Sequence, residues 1–405
     1  MAETRVPRNS QVRLGAVDGD LRVEANVRIQ ADPTVTVSGE ARFDGAAEVA
    51  GSLQCARFRS DDGTVSIAGN LTVTEDVKVH DGGLELTGSL KARRVDVDRR
   101  LQIGGTAEAE KFEVGGVLEG AQTLTAESVE VGGKFHLAGR LEARHVEAGG
   151  SVELADVAID TLEVGGTVRI GGGEVRRSIE VGGKFLAERP LVFGSLEVGG
   201  FAEFRDEARG ESIEVGGFLS AEKDLTFGSI EIGGVGRIGG NAQGTRIEVG
   251  GKFDVRGSLT LTGRLEVGGA ISVGEALSGE ALEIGGKLEA RRAVFTGKVE
   301  VGGVVSTQEG LKGAAVRLGR KSRAQGPLIG ATVEIERGAR VEDVYGGRIV
   351  LEDKSSARRV FGETVRLSDG ASADEVVYTQ SVEIASGARV RTPPRKVDTL
   401  PAFPL

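Results

Sequence analysis

Ser178-Ile-Glu-Val-Gly-Gly183 decides the fold, because versions of it recur along the chain at a nearly fixed interval. Its last apolar residue is Val181. The counterparts are Val114, Val131, Ala148, Val164, Val198, Val215, Ile232, Val249, Val267, Ile284 and Val301, spaced 16 to 18 residues apart and mostly 17. A unit of this length is too short for the paired helices of a helical solenoid, which need about 33 residues or more. The Gly-Gly pair would also break a helix in every unit. Inside the unit the alternation has period two: in Ser212-Ile-Glu-Val215 the aliphatics face one side and Ser and Glu the other, the pattern of a half-buried strand.

After each Gly-Gly a second apolar position follows, as at Phe135, Phe185, Leu219 and Phe253. Past a polar bend comes a third apolar pair, as at Leu191/Phe193, Leu225/Phe227 and Leu259/Leu261. Three short strands per coil, each about 4.8 Å above its counterpart, predict an all-β chain. The expected architecture is a single long parallel three-sided β-helix with about 17 residues per coil and roughly 22 coils. The Phe residues that follow Gly-Gly read as part of its core stack.

The 64 glycines and 8 prolines would suggest low complexity if the glycines were not periodic. No Trp and only 2 Tyr leave few surfaces for base stacking, and a net charge of −10 disfavours polyanions, so no nucleic-acid partner is expected. Cys55 is the only cysteine, which excludes an internal disulfide and fits a reducing compartment. Met1 to Ser10 has no apolar signal region, and no apolar run reaches about 18 residues. A cytoplasmic location is expected, with membrane attachment left open.

In chain order, residues 1–18 read as a tail or cap and residues 19–95 as irregular coils carrying Leu21/Val23 and Val27/Ile29. Residues 96–303 are the strict array. There, coils with a bulky third strand alternate with coils whose third side is polar or glycine-rich, such as Arg205 to Gly210, so the repeating unit reads as two coils. In residues 304–391 the Gly-Gly disappears, but the apolar ruler continues through Leu318, Ile335, Leu351, Leu367 and Ile384. Residues 392–405 hold four prolines, which cannot donate to a ladder, and read as a tail beyond the solenoid.

The stretch Val376-Val-Tyr-Thr-Gln-Ser-Val-Glu-Ile-Ala-Ser-Gly-Ala-Arg-Val390, followed by Lys396-Val-Asp-Thr-Leu-Pro401, resembles the bactofilin family of polymer-forming cytoskeletal proteins. The aliphatic-glycine coil over residues 20–390 is similar to that family too. The resemblance implies a right-handed three-sided β-helix that assembles end to end into nonpolar filaments without nucleotide, flanked by short disordered tails.

No pattern for catalysis or a cofactor emerges. Acyltransferase β-helices stack contiguous hexapeptides at 18 residues per coil, and His80, His136 and His145 here sit in unrelated registers. The Gly-Gly pairs precede strands, so they cannot place a phosphate on a helix N-terminus. The expected function is therefore a non-enzymatic scaffold polymerising with itself through its terminal coils, at Leu21, Val23, Val27 and Ile29 on one end and Val376, Tyr378, Val382 and Ile384 on the other. The alternative is a monomeric rod that recruits partners along its faces. One such face is a column of outward glutamates: Glu113, Glu130, Glu147, Glu163, Glu180, Glu197, Glu214, Glu231, Glu248, Glu266, Glu283 and Glu300. It reads either as a solvated face that deters aggregation or as a line of sites for divalent cations or a basic protein.

Overall fold

The computed structural model describes residues 3–403 and 405. The chain is an all-β parallel solenoid of about 23 turns with ~17 residues per turn, and the described residues contain no helix. Its contacts divide it into two units, Met1–Gly200 and Phe201–Leu405.

In the first unit the ruler column runs Val6, Val23, Phe43, Ser60, Val79, Val97, Val114 and Val131, each in parallel register with the next. It continues through Ala148, Val164, Val181 and Val198. These side chains are buried, and each fully buried aliphatic of this kind contributes about 1.5–3 kcal/mol. Ser60 is the exception in kind, being 0% exposed with its hydroxyl lacking a hydrogen-bond partner. That costs about 1–3 kcal/mol and falls among the coils of irregular length.

Of the two expectations for the N-terminal residues, a tail or a cap, residues 3–17 form the cap. Strands Glu3–Val6 and Gln11–Val17 form a coil that pairs in parallel with Asp20–Val23 and Val27–Val37. Pro7 and Asn9, the latter at φ 57°, make its corner, so the apolar pairs either side of it were too short to read as strands. Leu21, Val23, Val27 and Ile29, expected at an open end, are covered by this coil and are at most 2% exposed.

In the second unit the ruler runs Val215, Ile232, Val249, Val267, Ile284, Val301, Leu318, Ile335, Leu351, Leu367 and Ile384. The two-coil alternation has a packing cause. On the third side Gly210, Phe227, Gly244 and Leu261 lie in register along one column. A Cβ on Gly244 would stand 2.2 Å from the Phe227 ring, so glycine in one coil makes room for the aromatic ring of its neighbour.

The strict Gly-Gly corners are required by close stacking rather than by a left-handed backbone. A Cβ on Gly303 would sit 1.9 Å from the Gly286 carbonyl oxygen, and one on Gly132 2.2 Å from that of Gly115. Beyond residue 303 the corner changes type. Lys321, Gly338, Lys354 and Gly370, each three residues after a ruler position, take φ of 60°, 72°, 57° and 67°. The following residue then donates back across a tight turn, as Ser355 N does to the Glu352 carbonyl at 3.1 Å.

Candidate interaction surfaces

The predicted glutamates do form outward columns. In the first unit Glu113, Glu130, Glu147, Glu163, Glu180 and Glu197 stack in register. In the second unit Glu214, Glu231, Glu248, Glu266, Glu283 and Glu300 do the same. Their compensation is uneven. It comes from a cation two positions earlier on the same strand face, which can also serve the glutamate of the next coil: Lys111 reaches Glu113 at 3.2 Å and Glu130 at 2.9 Å, Arg246 reaches Glu248 at 2.6 Å, and Lys298 reaches Glu300 at 2.7 Å. Where that position holds Thr161, Ser178 or Ser195 in the first unit, or Ser212 or Ser229 in the second, the adjacent glutamate has no ion pair among the described residues.

The same column begins with cations, which the sequence reading missed. Arg5, Arg22, Arg42, Arg59 and Lys78 precede Asp96 and Glu113 in register. The signal was present in three of these coils as Arg-x-Glu or Arg-x-Asp at the corner, because Glu24, Asp44 and Asp61 occupy the place of the first corner glycine. Asp44 receives Arg22 at 2.7 Å and Arg42 at 3.1 Å, and Arg59 reaches Asp61 at 3.0 Å. Burial pushes the Asp44 carboxyl up, but the two arginines outweigh it and hold it below the usual range. At the change of sign, burial and then the charges of Glu113 and Asp98 push Asp96 up.

Where glycine replaces the corner acid, the backbone forms the floor of a shallow open recess of about 380 Å³. Gly115, Gly132 and Gly149 line its base, with Asp96, Asp98, Glu113, Glu130 and Glu147 alongside. The carboxylates run in a line rather than around a point, and among the described residues no three acids, histidines or cysteines converge to hold a metal ion. His80 lies 3.9 Å from Asp98, His136 3.2 Å from Glu153 and His145 3.0 Å from Thr161, three separate places.

The Phe reading needs one correction. Phe135, Phe185 and Phe253, the second residues after Gly-Gly, are fully buried, whereas Phe201 follows the glycines directly and is 58% exposed. It stacks in register beside Phe218, with ring centroids 6.4 Å apart. Alternation of faces explains the split, since one step along a strand reverses the side chain.

The C-terminal end differs most from expectation. Residues 392–403 and 405 are not a free tail. The chain continues two sides of one more coil, with Arg389–Val390 paired to Ser372 and Ala373, and Arg395–Lys396 paired to Val377 and Tyr378. Val376 and Val377 are therefore covered, at 0% and 1% exposure. The ruler side gets no such cover: Ile384 is 40% exposed, whereas Leu367 beneath it is 1% exposed. Continuing the register from Lys396, Leu400 would lie over Val382, and Pro401 would fall opposite Glu383, where it has no N–H for the ladder.

The chain instead turns down the outside. Ile329, Tyr345, Phe361 and Val377 form a stacked outward column. Val397, Leu400 and Leu405 pack on it, and Phe403 meets Tyr345 edge-on at 5.9 Å. The Tyr345 and Phe361 rings are themselves stacked at 4.8 Å. Next to this stripe the buried Asp343 carboxylate is gripped by Arg358 at 2.8 Å and Arg359 at 2.5 Å. Burial pushes Asp343 up, yet both guanidiniums hold it below the usual carboxylate range. An aromatic on the outward side of a strand in two successive coils, Tyr345 and Phe361, was the sequence signal for this surface.

Comparison with protein families, with curated proteins and with solved structures finds no match to the chain.

Proposed function

We propose that the chain is a non-enzymatic structural protein that associates end to end through its last coil, building a scaffold in the manner of bactofilin-type polymers. One observation carries this reading. On the ruler side of the last coil Ile384 ends the core stack uncovered beside a half-buried Val382, although 21 further residues follow Ile384 and run past it. The open edge is thus a property of how the chain folds there, produced by Pro401 and by the competing apolar stripe. An uncovered strand with its backbone groups unpaired is a template for another strand, and its apolar layer gains when water is excluded.

Lateral association is disfavoured along the uncompensated glutamates, since two such columns brought face to face repel. Growth is then confined to the axis. Purified protein without nucleotide, examined by negative-stain electron microscopy, should show filaments or end-joined pairs about as thin as one β-helix. Light scattering should rise with concentration, and a strictly monomeric chain at micromolar concentration would overturn the reading.

A second reading, partner recruitment along a face, is favoured by the uncompensated run Glu147, Glu163, Glu180 and Glu197, which offers a basic protein segment a line of unpaired carboxylates. Saturable, salt-sensitive binding of a polylysine peptide that Glu163→Gln/Glu180→Gln weakens would support it, and binding unchanged by that double substitution would remove it.

A further inference from the structure

We infer that the apolar stripe Ile329/Tyr345/Phe361/Val377 is a docking surface for the C-terminal strap that carries Val397, Leu400, Phe403 and Leu405, supplied by a second copy of this chain, so that straps are exchanged across the end-to-end junction. The inference rests on the association proposed above and adds what holds the two copies together.

The strap and its stripe are self-contained. Among the described residues the strap's apolar contacts are made by Val397, Leu400, Phe403 and Leu405, none of which belongs to the solenoid core. Upstream, Arg391 to Lys396 are mostly exposed and include Pro393 and Pro394, and the strap's ladder attachment is only the pairing of Arg395 and Lys396. Val397 N donates to the Tyr378 carbonyl at 2.9 Å, after which the described residues make no ladder pairing. A strap supplied by another chain would bury the same side chains on the same stripe. Only the linkage between strap and body distinguishes the two arrangements, which is the condition under which identical elements are exchanged between protomers.

Reach permits it. From Val377 down to the Gly310 level, where Leu405 ends against the backbone, the stripe covers four coil steps, or about 19 Å at the usual strand spacing. Nine residues extend to about 30 Å, leaving slack for a crossing. The point of departure also fits, because the strap leaves the body at the last coil, beside the half-buried Val382 and the uncovered Ile384. A second copy seated on that edge would present its own stripe within reach, and each junction would then carry two straps in place of none. In a single chain the strap folds back on itself, which is the arrangement seen.

The full-length chain tests this by disulfide trapping. Its own Cys55 is buried, with burial pushing the thiol up to about 12, so introduced cysteines are the reactive ones. One population carries Tyr345→Cys and another Phe403→Cys, and the two are mixed and oxidised at concentrations where sedimentation reports association. The expected result is an interchain disulfide whose yield follows the associated fraction, while the dilute double variant closes within one chain. Val377→Cys with Val397→Cys repeats the test should the first pair misfold by circular dichroism. Association in sedimentation with interchain yield no higher than an exposed control pair overturns strap exchange alone. Absence of association at any concentration overturns the end-to-end reading, and exchange with it.

Discussion

Ile384→Lys separates stability from assembly. In the single chain Ile384 is 40% exposed, so a lysine there can lay its stem over Leu367 and keep its ammonium in water. The cost to folding should be below about 1 kcal/mol, as for most substitutions away from the core. In an end-to-end junction the same ammonium is pressed between two apolar layers, where an unpaired ion costs several kcal/mol. Taking about 4 kcal/mol, association weakens by about a thousandfold. Sedimentation velocity over a concentration series measures the change, with urea unfolding in parallel. Leu367→Lys, at 1% exposure one coil down, is the contrast: there the charge has no route to water, and the coil itself should melt. An Ile384→Lys chain with an unchanged urea midpoint and association within threefold of the original would refute the argument that the ruler edge is the joint.

Four other outcomes follow from the contacts. Phe361→Ala removes one of two rings stacked at 4.8 Å and should cost about 2–4 kcal/mol of local stability, read as faster tryptic cleavage after Arg395 and Lys396. Gly303→Ala forces a Cβ to 1.9 Å from a backbone oxygen, whereas Gly165→Ala meets one at 2.9 Å. The first should lower the urea midpoint by the equivalent of about 1–3 kcal/mol and the second by visibly less. Asp343 is held below its usual range despite burial, so the folded state keeps it ionised to lower pH than the unfolded chain does. Its contribution is therefore complete above about pH 4 and is lost as pH falls through the lower folded value, and Asp343→Asn should flatten the stability–pH curve in that acid range. Adjacent unpaired glutamates about 4.8 Å apart repel by about 0.9 kcal/mol in water. Raising salt, or making Glu180→Gln at low salt, should increase the urea midpoint, and a decrease in both would count against an uncompensated column.

The coil was legible in the residues because its cause is local. The alternation of Ile179, Glu180 and Val181 and the recurrence of the ruler fix side-chain direction and coil length, and with them the stacking of every glutamate. The alternation of Gly244 with Phe227 was legible for the same reason, since each position packs on its counterpart one period away. What escaped lay where a residue's partner is not one period away. Val6 and Val12 carry too little alternation to announce a strand, and became one because Val23 and Ile29 offered a ready ladder. Whether the outward Tyr345 and Phe361 meet water or a partner depends on where residues 397–405 lie, and no periodicity in the chain encodes that. Pro401 forbids one path for the strap and the apolar stripe offers another. That competition between a ladder and a surface is settled only when both exist in three dimensions, and its result leaves Ile384 uncovered.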